Sequence, residues 1–427
     1  MLDLGRSALA LKTDFTSRPP IERTPSAGMI KSEPATSRIL FVYWGRRGLS
    51  ELVLRLADAV ASSPIAHAAF SISRHNDRFQ EFMSLGDALE PVDIFSSNAG
   101  AVFCAWRMRS IRDQILARIR RDRIDTVVLL MPHVWGGLLA PAVKKAGARF
   151  VTVVHDAIPH PGDLRSLIAS LATPRLHESD LVIALSAHVA NMLKAKGLVP
   201  ADRVRQLFLP ELRLKAAEPP TFPAAGRLFR VLFLGRILPY KGLDLLIDAV
   251  ERLRREGIAL HLGVFGEGPL GRSGERLRTL GAEVVNRWLA ADEIAGILAR
   301  YHAVALSHTE ASQSGVASLA LGHGLPVVAT PVGGLVEQID HGVTGIIAEG
   351  VDATAFAAAI KRLAQDPTCY AKLVARIQGS QDGRSTSAFL DGLARHISEL
   401  CASRMIAERR TSEEGPRSIL KTAIAAP

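Results

Sequence analysis

Cysteine is scarce in this 427-residue chain: Cys104, Cys369 and Cys401 are the only three. They are far apart, odd in number and outside any metal-ligand spacing. That argues against a disulfide framework or a zinc site, and for a reducing compartment. Aromatic residues are also few, at 5%, against a hydrophobic content of 48%, so the cores must be aliphatic and rich in alanine. No uninterrupted apolar run approaches the ~18 residues of a membrane span. Residues 1–20 hold no continuous apolar stretch ahead of their charges, so no signal peptide is expected. The chain has no GxGxxG fingerprint and no Gly-Lys-Ser/Thr phosphate loop. Basic residues are plentiful, giving a net charge of +10. They are scattered, with no aromatic-interleaved basic arm, which argues against a nucleic-acid partner. Phosphorylated ligands or an anionic membrane face remain as partners for such a charge.

What the chain does have is alternation. Residues 1–37 are rich in Pro, Ser and Thr and read as a poorly ordered leader. Strand-like runs then alternate with helix-like segments, which implies parallel sheets. Ile39–Tyr43 is the first apolar run, followed by a helix with Leu49, Leu52, Val53, Leu56 and Val60 on one face. The turn between them, with Gly45, Arg46, Arg47 and Gly48, is an acceptor-binding loop or a simple tight turn. Residues 111–124 form a basic helix carrying Arg112, Arg118, Arg120, Arg121 and Arg123. It is a solvated face or a site for an anionic membrane or lipid-linked diphosphate. Further strands are expected at 68–72, 126–130, 150–154 and 181–185. The 150–154 strand runs into His155-Asp156 and on to Asp163, a loop placed where ligand-contacting loops gather. A capped Asp/Pro/Gly turn would explain the same residues.

The Pro-rich stretch 218–226 reads as a linker. A second alternating series follows, with strands at 231–234, 262–265, 303–306 and 326–330, and helices over 243–253, 316–323, 352–364 and 386–404. The expected organisation is a leader (1–37), an N-terminal Rossmann-like domain (38–217), the linker (218–226), a C-terminal Rossmann-like domain (227–400) and a disordered tail (401–427). The fold class is α/β, with two parallel sheets facing an interdomain cleft, the usual place for a small-molecule site.

Three elements converge on the carboxyl edge of the second sheet. The first is Gly235-Arg236 with Lys241, where a planar guanidinium fork and a compact ammonium could share one diphosphate. The second is the Gly266–Pro269 turn, which could approach a flat ring closely. The third is Ser307–Gly345, with Glu310, the backbone N–H groups of Ser314, Gly315 and Val316 at a helix start, and the Gly333-Gly334 turn. Cations and a helix N-terminus, without a carboxylate cluster, suit a nucleotide-sugar whose diphosphate leaves under electrostatic stabilisation and needs no obligatory metal.

The runs GRILPYKGLDLLIDAVERL, GVFGEGPL and EASQSGV…GLPVVATPVGGLVEQIDHGVTG together resemble the retaining family-4 glycosyltransferases of the GT-B fold. HDAIPHPGD and DLVIALSAHV resemble the acceptor side of the same group, and QSGV its bacterial surface-polysaccharide branch. The resemblance implies a sugar nucleotide in the C-terminal domain, held by Gly235, Arg236, Lys241, Gly266, Ser314, Gly315, Val316 and Gly334. It implies Glu310 and His155 as catalytic residues, with Gly48 and Asp156 on the acceptor side, and transfer with retention. One departure stands out. The family's Glu-x7-Glu motif would fall at Ala311 and Leu319, so Glu310 is one residue off and the second carboxylate is absent. The expected function is transfer of a sugar from a nucleotide-sugar to a lipid-linked saccharide in surface-polysaccharide synthesis, at the cytoplasmic membrane face. A sugar-nucleotide epimerase of the same architecture, or a non-catalytic subunit of a polysaccharide assembly, are the alternatives.

Overall fold

The computed structural model describes residues 37–95, 106–157, 173–214 and 220–402. All but the last residue of the expected leader, Cys104, residues 158–163 of the His/Asp loop, the first two linker residues and most of the tail lie outside the described residues.

The first sheet holds β1 (Arg38–Tyr43), β2 (His67–Ser73), β3 (Leu89–Val92), β4 (Thr126–Leu129), β5 (Arg149–Val154), β6 (Leu181–Ala184) and β7 (Val204–Gln206). Their order is β3-β2-β1-β4-β5-β6-β7, parallel throughout. The second holds β8 (Phe229–Leu234), β9 (Leu260–Phe265), β10 (Glu283–Val285), β11 (Ala303–Leu306), β12 (Val327–Ala329) and β13 (Gly345–Ile347). It runs β10-β9-β8-β11-β12-β13, again parallel. The strand order reverses between β1 and β4 in one sheet and between β8 and β11 in the other. At such switch points the loops leave toward opposite faces and open a crevice at the carboxyl edge.

The central strands are buried on both faces, as helix-covered parallel strands must be. Ile39, Phe41 and Tyr43 enter one apolar core, Leu40 and Val42 the other. Val231 and Phe233 divide from Leu232 and Leu234 in the same way. This period of two, with covering helices such as Ser50–Val60 and Leu243–Arg255, fixes how each strand presents its end to the cleft.

Two sequence expectations are corrected. Residues 386–402 are helical, but Phe389, Leu390, Leu393, Ala394 and Ile397 pack with Ile39, Phe41 and Leu56 of the N-terminal domain. The chain crosses back after Arg384, so the C-terminal domain closes there rather than at residue 400. The reason is packing: the apolar face repeating at three and four residues is buried in the first sheet's core. Arg118 also leaves the basic surface. It is buried, ion-paired with Asp122 and 3.4 Å from Glu90, and donates to the Asp87 carbonyl at 2.7 Å.

Candidate functional site

The carboxyl ends of β8 and β9 continue into loops joined by backbone bonds. Gly235 N–H donates to the Phe265 carbonyl and Ile237 N–H to the Glu267 carbonyl, each at 2.9 Å. A Cβ at Gly266 would stand 1.8 Å from the Gly235 carbonyl oxygen, and its φ of +148° is itself unfavourable for other residues. Asn286 then bonds both ways to the Gly268 backbone, at 3.0 and 3.1 Å. These contacts make a ledge of tightly packed backbone beside the β8/β11 switch point.

Lys241 sits at that switch point. It ends the short turn Pro239–Lys241, and the loop after β11 is tied to this turn. Thr309 N–H donates to the Tyr240 carbonyl at 2.9 Å, and the Ser307 hydroxyl to the Lys241 carbonyl at 3.1 Å. The Lys241 ammonium lies 2.9 Å from Nε2 of the buried His308. An ammonium can only donate, so His308 accepts at Nε2 and its ring is neutral. Arg236, half-buried, leaves from the same β8 loop, and half-buried Glu310 from the β11 loop.

The helix Gly315–Gly322 supplies the third wall. Ser314 caps it, its hydroxyl accepting from Ala317 N–H at 3.4 Å. The Gln338 side-chain amide pairs with both the N–H and the carbonyl of Ser314 at 2.9 Å, which fixes the cap. Val316 Cγ2 lies 3.3 Å from the position of a Cβ on Gly235, so this helix start meets the β8 loop directly. Gly334 N–H donates to the Ala311 carbonyl at 2.9 Å. A Cβ at Gly334 would lie 1.8 Å from the Ser312 carbonyl oxygen, so the glycine turn is pressed onto the 311–313 loop. Gly235, Gly266, Lys241 with His308, Val316 and the Gly334 turn therefore gather around one edge.

The N-terminal domain meets this edge through His155, which the sequence singled out, and through Ser186, Ala187 and His188, which it did not. Gln313 Nε2 is 2.9 Å from His155 Nδ1, and His155 Nε2 is 3.2 Å from the Leu130 carbonyl. Burial holds the His155 ring below the usual histidine range, against the opposing pull of Asp156 and the Leu130 carbonyl. The Ser186 hydroxyl donates to the Ser312 carbonyl at 3.2 Å. The Glu337 carboxylate accepts from the N–H groups of Ala187 and His188 at 2.5 and 2.7 Å, capping the helix Ala187–Ala195 from the opposite domain. Of the two acceptor-side candidates, Asp156 is exposed past the end of β5 and Gly48 is exposed past the end of β1. In the Gly48 loop it is Arg47 that reaches across, its guanidinium 4.7 Å from the Trp288 ring centre and 4.0 Å from Glu267. The buried Tyr43 hydroxyl holds this loop, donating to the Arg47 carbonyl at 2.8 Å and accepting from Leu49 N–H at 3.2 Å.

Leu319 has a structural reason. Half-buried, it packs against the apolar cores of both domains. On the same helix, the Ser318 hydroxyl donates to the Pro210 carbonyl, and the Ser318 carbonyl accepts from Leu212 N–H at 3.1 Å. The helix is thus flush with the crossing segment, and an isolated carboxylate at 319 would enter an apolar seam.

Comparison with known proteins matches each half of the chain. Residues 47–207 fit the family model described as Glycosyltransferase Family 4, and residues 229–366 the one described as Glycosyl transferases group 1. A D-inositol 3-phosphate glycosyltransferase of Pseudarthrobacter chlorophenolicus is 34% identical over 197 residues, 42% of this chain and 45% of that protein. A GDP-mannose-dependent alpha-(1-6)-phosphatidylinositol monomannoside mannosyltransferase of Mycolicibacterium smegmatis is 28% identical over 251 residues, 54% of this chain and 65% of that one. The chain thus spans about half to two-thirds of the length of these curated relatives. Among solved structures, Anabaena Alr3699/HepE in complex with UDP and glucose superimposes with a TM-score of 0.64 at 18% identity, over 86% of this chain and 100% of that one. A sucrose-phosphate synthase from Thermosynechococcus elongatus gives 0.63 at 16% identity, over 86% and 100%. At these identities the likeness establishes the fold, GT-B.

Proposed function

We propose that this chain, whose two halves match, in order, the models described as Glycosyltransferase Family 4 and Glycosyl transferases group 1, moves a glycosyl group from a nucleotide-sugar to an acceptor lying against the N-terminal domain. The observation that carries this reading is the meeting of Lys241 with the β11 loop, beside the Gly315–Gly322 helix start and the Gly235/Gly266 ledge.

In this reading the diphosphate lies over the β8/β11 switch point. Lys241 and Arg236 neutralise its oxygens, and the backbone N–H groups at Gly315 and Val316 add their partial positive charge. These groups stabilise the charge that grows on the leaving diphosphate without a divalent ion. Glu310, on the loop beside Lys241, faces the sugar, and the acceptor approaches from Gly48 and Asp156. Transfer proceeds with retention. The donors named for relatives and neighbours, GDP-mannose and UDP-glucose, set the first compounds to try. Thermal shift and calorimetry with UDP- and GDP-sugars should reveal one binding donor. Lys241→Ala or Arg236→Ala should each weaken it by about 2 kcal/mol, roughly 30-fold. Wild-type affinity in both variants, or no response to any nucleotide-sugar, would remove this site from consideration.

The acceptor we propose is a lipid-linked saccharide of surface-polysaccharide synthesis, met at the cytoplasmic face of the membrane. Among the described residues no helix is long and apolar enough to cross a membrane. The helix Arg107–Asp122 instead supports peripheral attachment. Arg109, Arg112, Arg120 and, just past its end, Arg123 are all exposed. Their spacings of three and eight residues keep them on one face. Trp106, 70% exposed, precedes them, a side chain suited to the headgroup boundary. Full-length protein should sediment with phosphatidylglycerol vesicles and not with phosphatidylcholine vesicles. The Arg109→Ala/Arg120→Ala variant should lose about 1 kcal/mol per arginine, roughly 30-fold in partitioning. Equal sedimentation with both lipids would contradict an electrostatic docking face.

A further inference from the structure

His155 and Gln313 come from different domains and meet in the cleft, and their hydrogen bonds have a determinate sense. The Leu130 carbonyl can only accept, so the contact at 3.2 Å requires a proton on His155 Nε2. A neutral ring then has an acceptor at Nδ1, and the Gln313 amide nitrogen at 2.9 Å donates to it. Exchanging the amide oxygen and nitrogen would demand a second ring proton. Among the described residues, the charged group that acts on the ring is Asp156, from its own loop. The C-terminal domain brings an uncharged amide. Gln313 Oε1 is buried without a hydrogen-bond partner among the described residues. Such an acceptor is costly, so the pair with His155 is held by the surrounding fold.

We propose that Gln313 is a positioning residue of the transfer site, which reaches across the cleft to hold His155 as a neutral ring with its proton on Nε2. The inference rests on the cleft being the transfer site. A sugar losing its diphosphate gains positive charge at the anomeric carbon. A neutral imidazole beside it adds no repulsion, whereas an imidazolium would. The arrangement also links the ring's tautomer to domain closure, because the end of β5 supplies the histidine and the loop after β11 supplies the amide. At Ala311 and Leu319 this chain lacks the two expected carboxylates, and at Gln313 it places an amide against His155.

The test uses the full-length chain labelled with nitrogen-15 histidine, with the His155 signals assigned by His155→Gln. Wild-type His155 should show a protonated Nε2 and an unprotonated Nδ1 across neutral pH. Gln313→Glu, nearly isosteric, should raise the ring's titration by at least one pH unit and move the acidic limb of the transfer profile upward with it. Gln313→Leu should release the tautomer into exchange. Both variants should lose roughly tenfold in kcat, with the donor KM changed less than twofold. Wild-type tautomer and titration in both variants would overturn the inference, whether or not the protein transfers sugar. Perturbed ring signals in a protein that responds to no nucleotide-sugar would instead overturn the transferase reading and leave the positioning contact standing.

Discussion

Glu337→Ala should uncouple the two domains and lower stability by about 3 kcal/mol, the loss of two charge-assisted hydrogen bonds. The helix Ala187–Ala195 has no acidic residue in its first turn. Ser186 satisfies Val189 N–H, while Ala187 and His188 N–H groups depend on Glu337 from the other domain. Removing the carboxylate leaves a helix start without its counter-charge. Glu337 is itself held in place. Arg384 donates to the Glu337 and Gln338 carbonyls at 2.9 and 2.6 Å, which fixes the short helix Leu335–Gln338 at the point where the chain crosses back. Calorimetry should show one transition for the wild type and two for the alanine variant, with the glutamine variant between them. One unshifted transition in Glu337→Ala would show that the contact does not couple the domains.

This contact also marks the limit of what the sequence could reveal. The β8 strand, the Gly235-Arg236 turn and Lys241 were legible because their signals are local: an apolar run, a glycine, then a helix with one apolar face. Val316 was legible for the same reason, as the start of a helix after Ser314. Glu337, Gln313, Arg47 and Trp288 acquire meaning only from partners across the cleft, 149 to 158 residues away in the chain for Glu337 and Gln313. No periodicity announces such a pairing. The final helix shows the same effect at the level of fold. Its apolar face was plain, but the domain that buries it is set by non-local packing. Of the three-residue strands, β12 lies in the expected 326–330 run, whereas β7, β10 and β13 lie in no apolar run long enough to announce a strand. Arg118 is a different case, since its i,i+4 partner Asp122 was visible in the sequence and marked it as something other than a free surface charge.

Glu211→Gln should stabilise the protein at pH 8 and leave it unchanged near pH 4. Glu211 lies in the crossing segment between Pro210 and Leu212, both bonded to Ser318 of the Gly315–Gly322 helix. Its side chain is buried, and both carboxylate oxygens lack a hydrogen-bond partner among the described residues. Burial pushes its pKa up from 4.5 to about 7, with Arg384 and Arg213 pulling it down and Asp340 pushing it further up. A carboxyl with a raised folded-state pKa binds its proton more tightly in the folded state. Its contribution is therefore full below the unfolded value and is lost as pH rises through about 7. A shift of that size corresponds to about 3 kcal/mol. Glutamine keeps the neutral shape at every pH, so its advantage should grow from pH 4.5 to pH 7 and then level off. Urea unfolding at pH 4, 6 and 8 measures this directly, and a constant difference between the two proteins would refute it. The same desolvation accounts for Leu319. A carboxylate at 319 would carry a desolvation cost of the same kind where a leucine now joins the two apolar cores.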